Sequence, residues 1–311
     1  MTIVQPGPLS TVQDLGREGY QSMGFSVSGA MDTRALRIGN LMLGNPEGAA
    51  AIEMTMAGMT VEFTSDAVIA LTGADMRAAL NGKPMPRYTA VYVRGGDTLS
   101  SGAAVSGCRG YLCVAGGIDV PVVMGSRSTN LKCGLGGFQG RKLAAGDWVP
   151  YAAALKNTAG RCYLPDAYPD TITLRVVRGP QDDLFTEKGV AAFFGETYTV
   201  TPSSDRMGTR LDGTAVEARE KSDIISDGIA AGSVQIPASG KPIVLLADRQ
   251  TTGGYAKIAT VITADLYKLA QARPGNKVRF EQVTLKDAQK LYARAEKEIL
   301  RLARGKGWKH V

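Results

Sequence analysis

Two polar segments in the second half of the chain combine residue types that could do chemistry. One contains Asp205 and Arg206 between two serines and a Met-Gly turn. The other begins where an apolar run ends in Asp248 and Arg249, with two threonines and two glycines close behind. An arginine can bind a carboxylate or phosphate through two parallel hydrogen bonds, and a neighbouring aspartate can move a proton. Each segment could equally hold an Asp-Arg pair that only pins a loop, so the residue types leave both interpretations open.

A glycine-rich stretch, residues 134–140, is a candidate phosphate site because successive glycine amides can form a nest for an anion. It matches neither nucleotide fingerprint: Arg141 intervenes before the lysine of GxxxxGK[ST], and the spacing of GxGxxG fails. The alternative is a series of tight turns that leads into the segment around Trp148. The candidate phosphate contacts are Gly136, Gly137, Gly140 and Arg141.

Two further loops place an arginine beside carboxylate or hydroxyl groups. Asp14 and Arg17 lie in a turn-rich polar segment, and Arg127 stands among hydroxyl residues in the stretch 125–130. The second loop could bind an oxyanion, but capping of turns explains the same residues equally well. An exposed Asp-Arg pair contributes little stability, so these residues by themselves do not decide between the interpretations.

The distribution of histidine and cysteine excludes several classes of site. The only histidine, His310, is the second-last residue, where we expect disorder. Ser-His-Asp and Cys-His catalysis and histidine-ligated metals are therefore not expected, and acid-base chemistry falls to carboxylates, lysines, tyrosines or a partner chain. The four cysteines lack CxxC spacing, which predicts reduced thiols in a cytoplasmic protein and no metal site.

Composition and charge place the chain among folded proteins without a membrane span. It has 311 residues, of which 44% are hydrophobic and 21% charged. There is no apolar run long enough for a transmembrane helix, and the start lacks the features of a signal peptide. Much of the net charge of +7 lies after Lys286 and fits a solvated helix face. Without a nucleic-acid motif or interleaved aromatics, neither nucleic acid nor a membrane is expected as a partner.

Short apolar segments separated by glycine-rich turns predict a mainly β fold, with two barrel-like or sandwich-like units and peripheral helices. Strand signals include residues 67–71 and 110–115 in the first half and 172–177 in the second. Helices are predicted after Asp32, over residues 184–194 and 264–272, and from Thr284 to about residue 303. The pattern lapses over residues 152–170, which predicts an N-terminal domain over residues 1–160 and a C-terminal barrel with a final helix over 161–311.

Five motifs in order resemble the family of 5-oxoprolinase C subunits, also known as allophanate hydrolase subunit 2, KipA-like or biotin-dependent carboxyltransferase proteins. They are Thr-Val-Gln-Asp-Leu-Gly-Arg at 11–17, Ser-Gly-Ala-Met-Asp at 28–32, Gly-Ser-Arg-Ser-Thr at 125–129, Ser-Asp-Arg-Met-Gly at 204–208 and Ala-Asp-Arg-Gln-Thr-Thr-Gly-Gly-Tyr at 247–255. The resemblance extends from Thr11 to about Phe280. It implies a cyclophilin-like β-barrel architecture, clearest in the second half.

The resemblance also implies a site and its partners. Related urea carboxylases place the segment matching 203–208 at the active site, where two halves of a carboxyltransferase meet. We therefore expect catalytic roles for Asp205, Arg206 and Asp248. Expected substrate contacts are Ser204, Arg249, Thr251, Thr252, Asp14, Arg17, Arg127 and Ser128.

The implied function is that of one component of an ATP-dependent 5-oxoprolinase, which opens the lactam 5-oxo-L-proline to L-glutamate. The expected partners are homologues of the B (KipI-like) and A subunits of that enzyme, and ATP with magnesium is expected in the assembled complex. Two alternatives stay open. One is the carboxyltransferase half of a urea or allophanate type carboxylase, which needs biotin on a separate carrier; the other is a regulatory protein that binds a KipI-like kinase inhibitor.

Overall fold

The computed structural model describes residues 1–152 and 158–310. Residues 153–157, within the predicted boundary segment, lie outside the described residues. The chain divides into two compact units. The first unit comprises Met1–Glu18, Ser28–Ala167 and Lys297–Val311, and the second comprises Gly19–Val27 and Tyr168–Glu296. The division at residues 160 and 161 that the sequence suggests stays a prediction.

The strands of the first unit, up to residue 162, belong mainly to two antiparallel sheets. In chain order they are β1 (Thr2–Gln5), β2 (Leu9–Gln13), β3 (Ala51–Thr55), β4 (Thr60–Glu62), β5 (Ala67–Asp75), β6 (Ala79–Leu80), β7 (Lys83–Pro84), β8 (Ala90–Val93), β9 (Thr98–Ser100), β10 (Ser106–Val114) and β11 (Arg161–Cys162). One sheet has the order β1-β4-β9-β6-β7 and the other β2-β3-β10-β5-β8.

Strand β5 is apolar along most of its length because both of its faces are covered. Ile69 and Leu71 pack into one buried cluster, while Val68 and Ala70 pack into another. Successive side chains of a strand point to opposite faces, so a continuous apolar run is what burial on both sides requires.

Helix α1 (Thr33–Met42) contributes to the second of these clusters. The Asp32 carboxylate accepts a hydrogen bond of 2.8 Å from the amide of Ala35, which satisfies one of the free amides at the start of the helix. Its buried face includes Leu36 and Ile38. The predicted helix after Asp32 is confirmed.

The second unit is built around a closed β-barrel. Its strands are β12 (Thr171–Arg178), β13 (Tyr198–Val200), β14 (Gly208–Asp212), β15 (Asp223–Gly228), β16 (Ser233–Gln235), β17 (Ile243–Leu245), β18 (Thr252–Tyr255), β19 (Lys257–Val261) and β20 (Lys277–Gln282). The barrel order is β12-β19-β16-β17-β14-β13-β20, closed by the parallel pair of β12 and β20, while β15 and β18 form a separate antiparallel ribbon. Phe193 stacks on Phe280, with ring centroids 4.3 Å apart.

The remaining helices and the last strand are peripheral. They are α2 (Glu187–Gly195), α3 (Leu266–Ala270), α4 (Leu285–Ala303) and β21 (Lys309–His310). Thr284 accepts a hydrogen bond of 3.1 Å from the amide of Asp287, as the capping signal predicts. The predicted disorder at His310 is wrong: its strand pairs with β11, opposite Arg161, so main-chain hydrogen bonds order the segment.

The prediction of a mainly β fold is confirmed by the sheets of the first unit and the barrel of the second. Among the described residues, no helix combines the length and the apolar character needed to cross a bilayer.

Candidate functional site

Arg206 and Asp248 form a paired charge in the second unit. The guanidinium Nε lies 2.8 Å from Asp248 Oδ2, and Nη2 lies 3.2 Å from Oδ1. Both side chains are largely buried, with 7% and 13% of their surface exposed. Two parallel hydrogen bonds between charged groups fix geometry better than a single contact. A substrate carboxylate or phosphate would compete with Asp248 for these two donors.

The barrel places the pair by extending a strand ladder beyond its regular residues. Gly208 of β14 lies opposite Leu245 of β17. Past that point the amide of Leu246 donates to the carbonyl of Met207 at 2.9 Å, and the amide of Asp248 donates to the carbonyl of Arg206 at 2.9 Å. The sequence positions 206 and 248 therefore become neighbours through main-chain hydrogen bonds, before the side chains pair.

Asp205 is exposed and closes the turn that begins β14. Its Oδ1 accepts hydrogen bonds from the amides of Met207 at 2.8 Å and Gly208 at 3.1 Å. Ser204 fixes the same loop, since its hydroxyl donates to the carbonyl of Arg210 at 3.3 Å and accepts from its amide at 3.0 Å. The structure thus brings Ser204, Asp205, Arg206 and Asp248 to one loop cluster, with Asp205 on the solvent side.

The side chain of Arg249 is buried in the protein, so it is not an exposed group that could clamp a substrate anion. It is 7% exposed, and its Nε and Nη1 donate to the carbonyls of Ile229 at 3.2 Å and Leu246 at 3.1 Å. Burial lowers the pKa of its guanidinium. The carbonyl of Thr251 accepts from the amide of Ile229 at 3.0 Å, and Thr252 opens β18 opposite Gly228.

Ser26 is a contact to this loop that the sequence did not single out as a site residue. It lies in the segment 19–27 of the second unit, and its hydroxyl donates to the carbonyl of Arg249 at 2.7 Å. The only sequence signal is its place in a turn-rich stretch beside the motif at 28–32, which gives no indication of a contact more than two hundred residues away.

Asp14 organises a second cluster, in the first unit. Its Oδ1 accepts from the amide of Gly16 at 2.8 Å and from the hydroxyl of Ser126 at 2.6 Å, and Ser128 donates to the same oxygen. Its Oδ2 accepts from the amide of Arg127 at 2.6 Å. With four donors, this carboxylate holds the 126–128 loop in place. Ser126, which the sequence did not rank as a site residue, is therefore as central as Ser128.

Arg17 also contacts the 126–128 loop. It is 1% exposed, and its Nη2 donates to the carbonyl of Ser128. Gly136 packs against this contact: a Cβ built there would lie 2.2 Å from the Ser128 carbonyl oxygen and 2.6 Å from Arg17 Nη2. Glycine is required here for close packing, whatever else the stretch does.

Two amides of the glycine-rich stretch already donate to main-chain carbonyls of the protein. The amide of Gly137 donates to the carbonyl of Arg127 at 3.1 Å, and that of Gly140 to Gly136 at 2.8 Å. Arg141 binds Asp147 through two hydrogen bonds of 2.7 and 2.8 Å, which raise the pKa of its guanidinium. The phosphate role of these residues stays a prediction.

The site residues expected from the sequence therefore fall into two clusters, one in each unit. Among the described residues, no group of three or more His, Cys, Asp or Glu side chains is arranged to hold a metal ion.

Comparison with known proteins identifies relatives along nearly the whole chain. The family model for the carboxyltransferase domain, subdomain A and B, matches residues 23–282. The protein named as the C subunit of 5-oxoprolinase in Haemophilus influenzae is 42% identical over 289 residues, which cover 92% of this chain and 92% of that protein. The protein of the same name from Escherichia coli is 40% identical over 290 residues, which cover 93% of this chain and 93% of that protein.

Among solved structures, the urea amidolyase of K. lactis superposes on 97% of this chain with a TM-score of 0.89 and 30% identity. The matched part is 20% of that longer polypeptide.

Proposed function

The chain belongs to the carboxyltransferase domain, subdomain A and B, family, and from this membership we propose that it is the C subunit of an ATP-dependent 5-oxoprolinase. In that assembly it acts with the B and A subunits to open 5-oxo-L-proline to L-glutamate.

The observation that carries the proposal is the sequence identity with the named C subunits and the share of those proteins that it covers. The relatives named as 5-oxoprolinase C subunits share 42% and 40% identity with the chain over more than nine tenths of both sequences. The urea amidolyase is more distant, and this chain corresponds to only 20% of it. The higher identity over nearly the whole of the named C subunits therefore favours them over the urea amidolyase as the guide to the function of this chain.

Opening the lactam of 5-oxoproline requires carboxylates and cations around its carbonyl group, which is a poor electrophile. A lactam carbonyl is stabilised by resonance, so transfer of a phosphoryl group from ATP to its oxygen makes the carbonyl carbon easier for water to attack. After water adds, the ring C–N bond breaks as the nitrogen takes a proton, and a second water hydrolyses the resulting acyl phosphate to L-glutamate and phosphate. We assign Asp205, whose carboxylate is exposed beside the Arg206–Asp248 pair, to proton transfer or to orientation of the attacking water. Arg206 is assigned to the anionic group of the substrate or phosphoryl donor.

In this proposal Asp248 acts on Arg206 and not directly on the substrate. Its two hydrogen bonds to Arg206 hold the guanidinium in one orientation, so it serves as a positioning residue. Arg249 has a similar part, since its donors hold the carbonyls of Ile229 and Leu246 at the base of the loop.

A second candidate is the carboxyltransferase half of a urea or allophanate type carboxylase. The family description and the TM-score of 0.89 to the urea amidolyase favour it. In that case biotin on a separate carrier would bring the carboxyl group. The free state of all four cysteines suits a reducing cytoplasm for either enzyme.

The deciding experiment measures ATP-dependent release of glutamate from 5-oxoproline. The chain is assayed alone, with its KipI-like partner (the B subunit), and with the A and B subunits together. We expect activity in the full mixture only. Silence in all three, with the partners shown to be folded and associated, contradicts the oxoprolinase proposal. Transfer of carboxyl from a biotin carrier would then support the second candidate, whereas tight binding of the KipI-like partner with no turnover would support a regulatory protein.

A further inference from the structure

We propose that a pocket in the first unit, beside the Asp14 cluster, binds the nucleoside part of ATP. The choice of ATP as the nucleotide rests on the proposed function, whereas the preference for an uncharged ring rests on the pocket itself. The pocket has a volume of about 480 Å³ and lies between residues 119–123, the glycine-rich stretch 134–140 and Pro150. That volume is within the range of about 300–1,000 Å³ common to small-molecule sites.

The walls of the pocket are mainly apolar side chains and glycine main chain, with Asp119 and Gln139 as the polar lining residues. The apolar side chains are those of Val120, Pro121, Val123, Leu135, Phe138 and Pro150. A flat heterocycle buries both faces in such a site and reaches polar main-chain groups with its edge. The glycines keep the wall thin, because the stretch has no side chains at positions 134, 136, 137 and 140.

The same wall does not suit a phosphate group. Among the described residues that line the pocket there is no lysine or arginine, and Arg141, the nearest cation in sequence, is bound to Asp147 by two hydrogen bonds. The amides of Gly137 and Gly140 donate to the carbonyls of Arg127 and Gly136. Burying a phosphate against a wall that has no cation is costly, so the ring end of a nucleotide suits the inside of the pocket better than the phosphate end.

The Asp14 cluster holds this wall in place. Asp14 accepts from the amide of Arg127 at 2.6 Å, and Arg127 Nε in turn donates to the carbonyl of Val120 at 2.8 Å. Ser126 pairs with Val123 through main-chain hydrogen bonds of 2.8 and 3.3 Å. The residues that the family resemblance marks in the motifs at 11–17 and 125–129 therefore shape the pocket without having to line it.

Asp119 gives the pocket a group that can recognise a ribose. Its carboxylate is at the rim, with 67% of the side chain exposed, and Oδ1 lies 3.4 Å from Arg127 Nη2. A carboxylate can accept hydrogen bonds from both hydroxyls of a ribose, as in dinucleotide sites. The neighbouring Arg127, 38% exposed, is then placed to contact phosphates outside the pocket mouth.

The proposal is tested by isothermal titration calorimetry on the full chain. Adenosine, 2′-deoxyadenosine and orthophosphate are titrated as separate probes. We expect adenosine to bind, 2′-deoxyadenosine to bind about tenfold more weakly because one charge-assisted hydrogen bond is lost, and orthophosphate not to displace adenosine. Asp119→Asn should remove most of the preference for adenosine over the deoxy form. Displacement of adenosine by orthophosphate at equal concentration would overturn the proposal.

A pocket-filling variant locates the site. Val123→Trp places an indole in the space assigned to the ring and should abolish adenosine binding. The matched control is Ala191→Trp, which fills a pocket of about 470 Å³ in the second unit and should leave adenosine binding unchanged. If Val123→Trp folds, shown by an unchanged thermal unfolding curve, and binds adenosine like the parent, the pocket is not the site. If it does not fold, Val123→Leu and Val123→Met supply a graded series, and affinity that does not decrease with side-chain volume counts against the site.

The assembled complex separates this inference from the proposed function. If the complex turns over 5-oxoproline and Val123→Trp leaves its KM for ATP unchanged, the proposed function is supported and the pocket assignment is overturned. If Val123→Trp abolishes adenosine binding and the complex of the parent chain never releases glutamate, the pocket assignment is supported and the oxoprolinase function is overturned.

Discussion

The guanidinium of Arg206 and the carboxylate of Asp248 meet side by side, with contacts of 2.8 and 3.2 Å and little exposure to solvent. Arg206 precedes β14 and Asp248 follows β17, and a main-chain hydrogen bond of 2.9 Å between the same two residues fixes their register. A charged pair this well enclosed couples the stability of the loop to the orientation of the arginine.

Substitution of this pair should show strong coupling. Asp248→Asn removes the charge that Asp248 supplies to this largely buried pair and should lower the free energy of unfolding by about 3–5 kcal/mol. Arg206→Lys should cost about 1–2 kcal/mol, because lysine cannot make two parallel hydrogen bonds. Urea unfolding of the single and double variants gives the coupling energy, which we expect to exceed about 1 kcal/mol. The exposed pair of Arg178 and Asp182 is the control, and additivity in the 206–248 cycle would contradict the assignment.

Asp205 should matter for turnover more than for stability. Asp205→Asn keeps an oxygen to accept from the amides of Met207 and Gly208 but removes the carboxylate, so turnover of the assembled complex should fall about 100-fold or more. Asp205→Ala should abolish turnover without unfolding the chain. Circular dichroism and steady-state glutamate release measure the two effects, with Asp212→Asn on the following strand as the control. Full activity in Asp205→Ala would sink the catalytic role.

Asp14 should be a stabilising residue of the first unit. Asp14→Ala leaves four donors from the 16 and 126–128 segments without their acceptor, so the free energy of unfolding should fall by about 3 kcal/mol. Hydrogen exchange at the amide of Arg127 should accelerate in the same variant. Ser126→Ala, which removes one donor only, should cost less, and Asp183→Ala should leave exchange at Arg127 unchanged. Unchanged protection of Arg127 in Asp14→Ala would contradict the role of the carboxylate.

Asp265 should make the chain less stable in acid. Burial tends to raise its pKa, but hydrogen bonds from Arg175 and Lys268 outweigh burial and hold the pKa below its ordinary value. Because the folded-state pKa lies below the unfolded one of about 3.9, the carboxylate stabilises the fold above that pH and ceases to do so as pH falls through the folded pKa. Asp265→Asn should be less stable than the parent at pH 7 and lose less stability between neutral pH and about pH 2. Parallel pH profiles for parent and variant would refute this.

The cysteines should differ in reactivity. Cys133 is exposed, whereas burial raises the pKa of the Cys113 thiol to about 12. Since the thiolate is the nucleophile, iodoacetamide should modify Cys133 in the folded chain and reach Cys113 only after unfolding. Mass spectrometry of peptides from native and urea-treated protein measures both, and Cys133→Ser is the control. Equal labelling of the two thiols in the native chain would count against the buried position of Cys113.

The sequence by itself determined the fold class and many of its elements. Apolar runs such as residues 67–71 indicate strands because a run with no polar alternation must be covered on both faces, and Asp32 and Thr284 mark helix starts because their side chains can satisfy free amides. Local rules failed where order comes from a distant strand, as at His310 opposite Arg161.

Only the tertiary structure decided what the candidate site residues contact. The sequence shows Asp205-Arg206 and Asp248-Arg249 as two similar adjacent pairs. The fold instead pairs Arg206 with Asp248, turns Arg249 inward and leaves Asp205 exposed. Adjacent residues on an extended chain point in opposite directions, so a neighbour in sequence is seldom the partner in space. The register between β14 and β17 sets the partner, and a short sequence motif holds no information about that register.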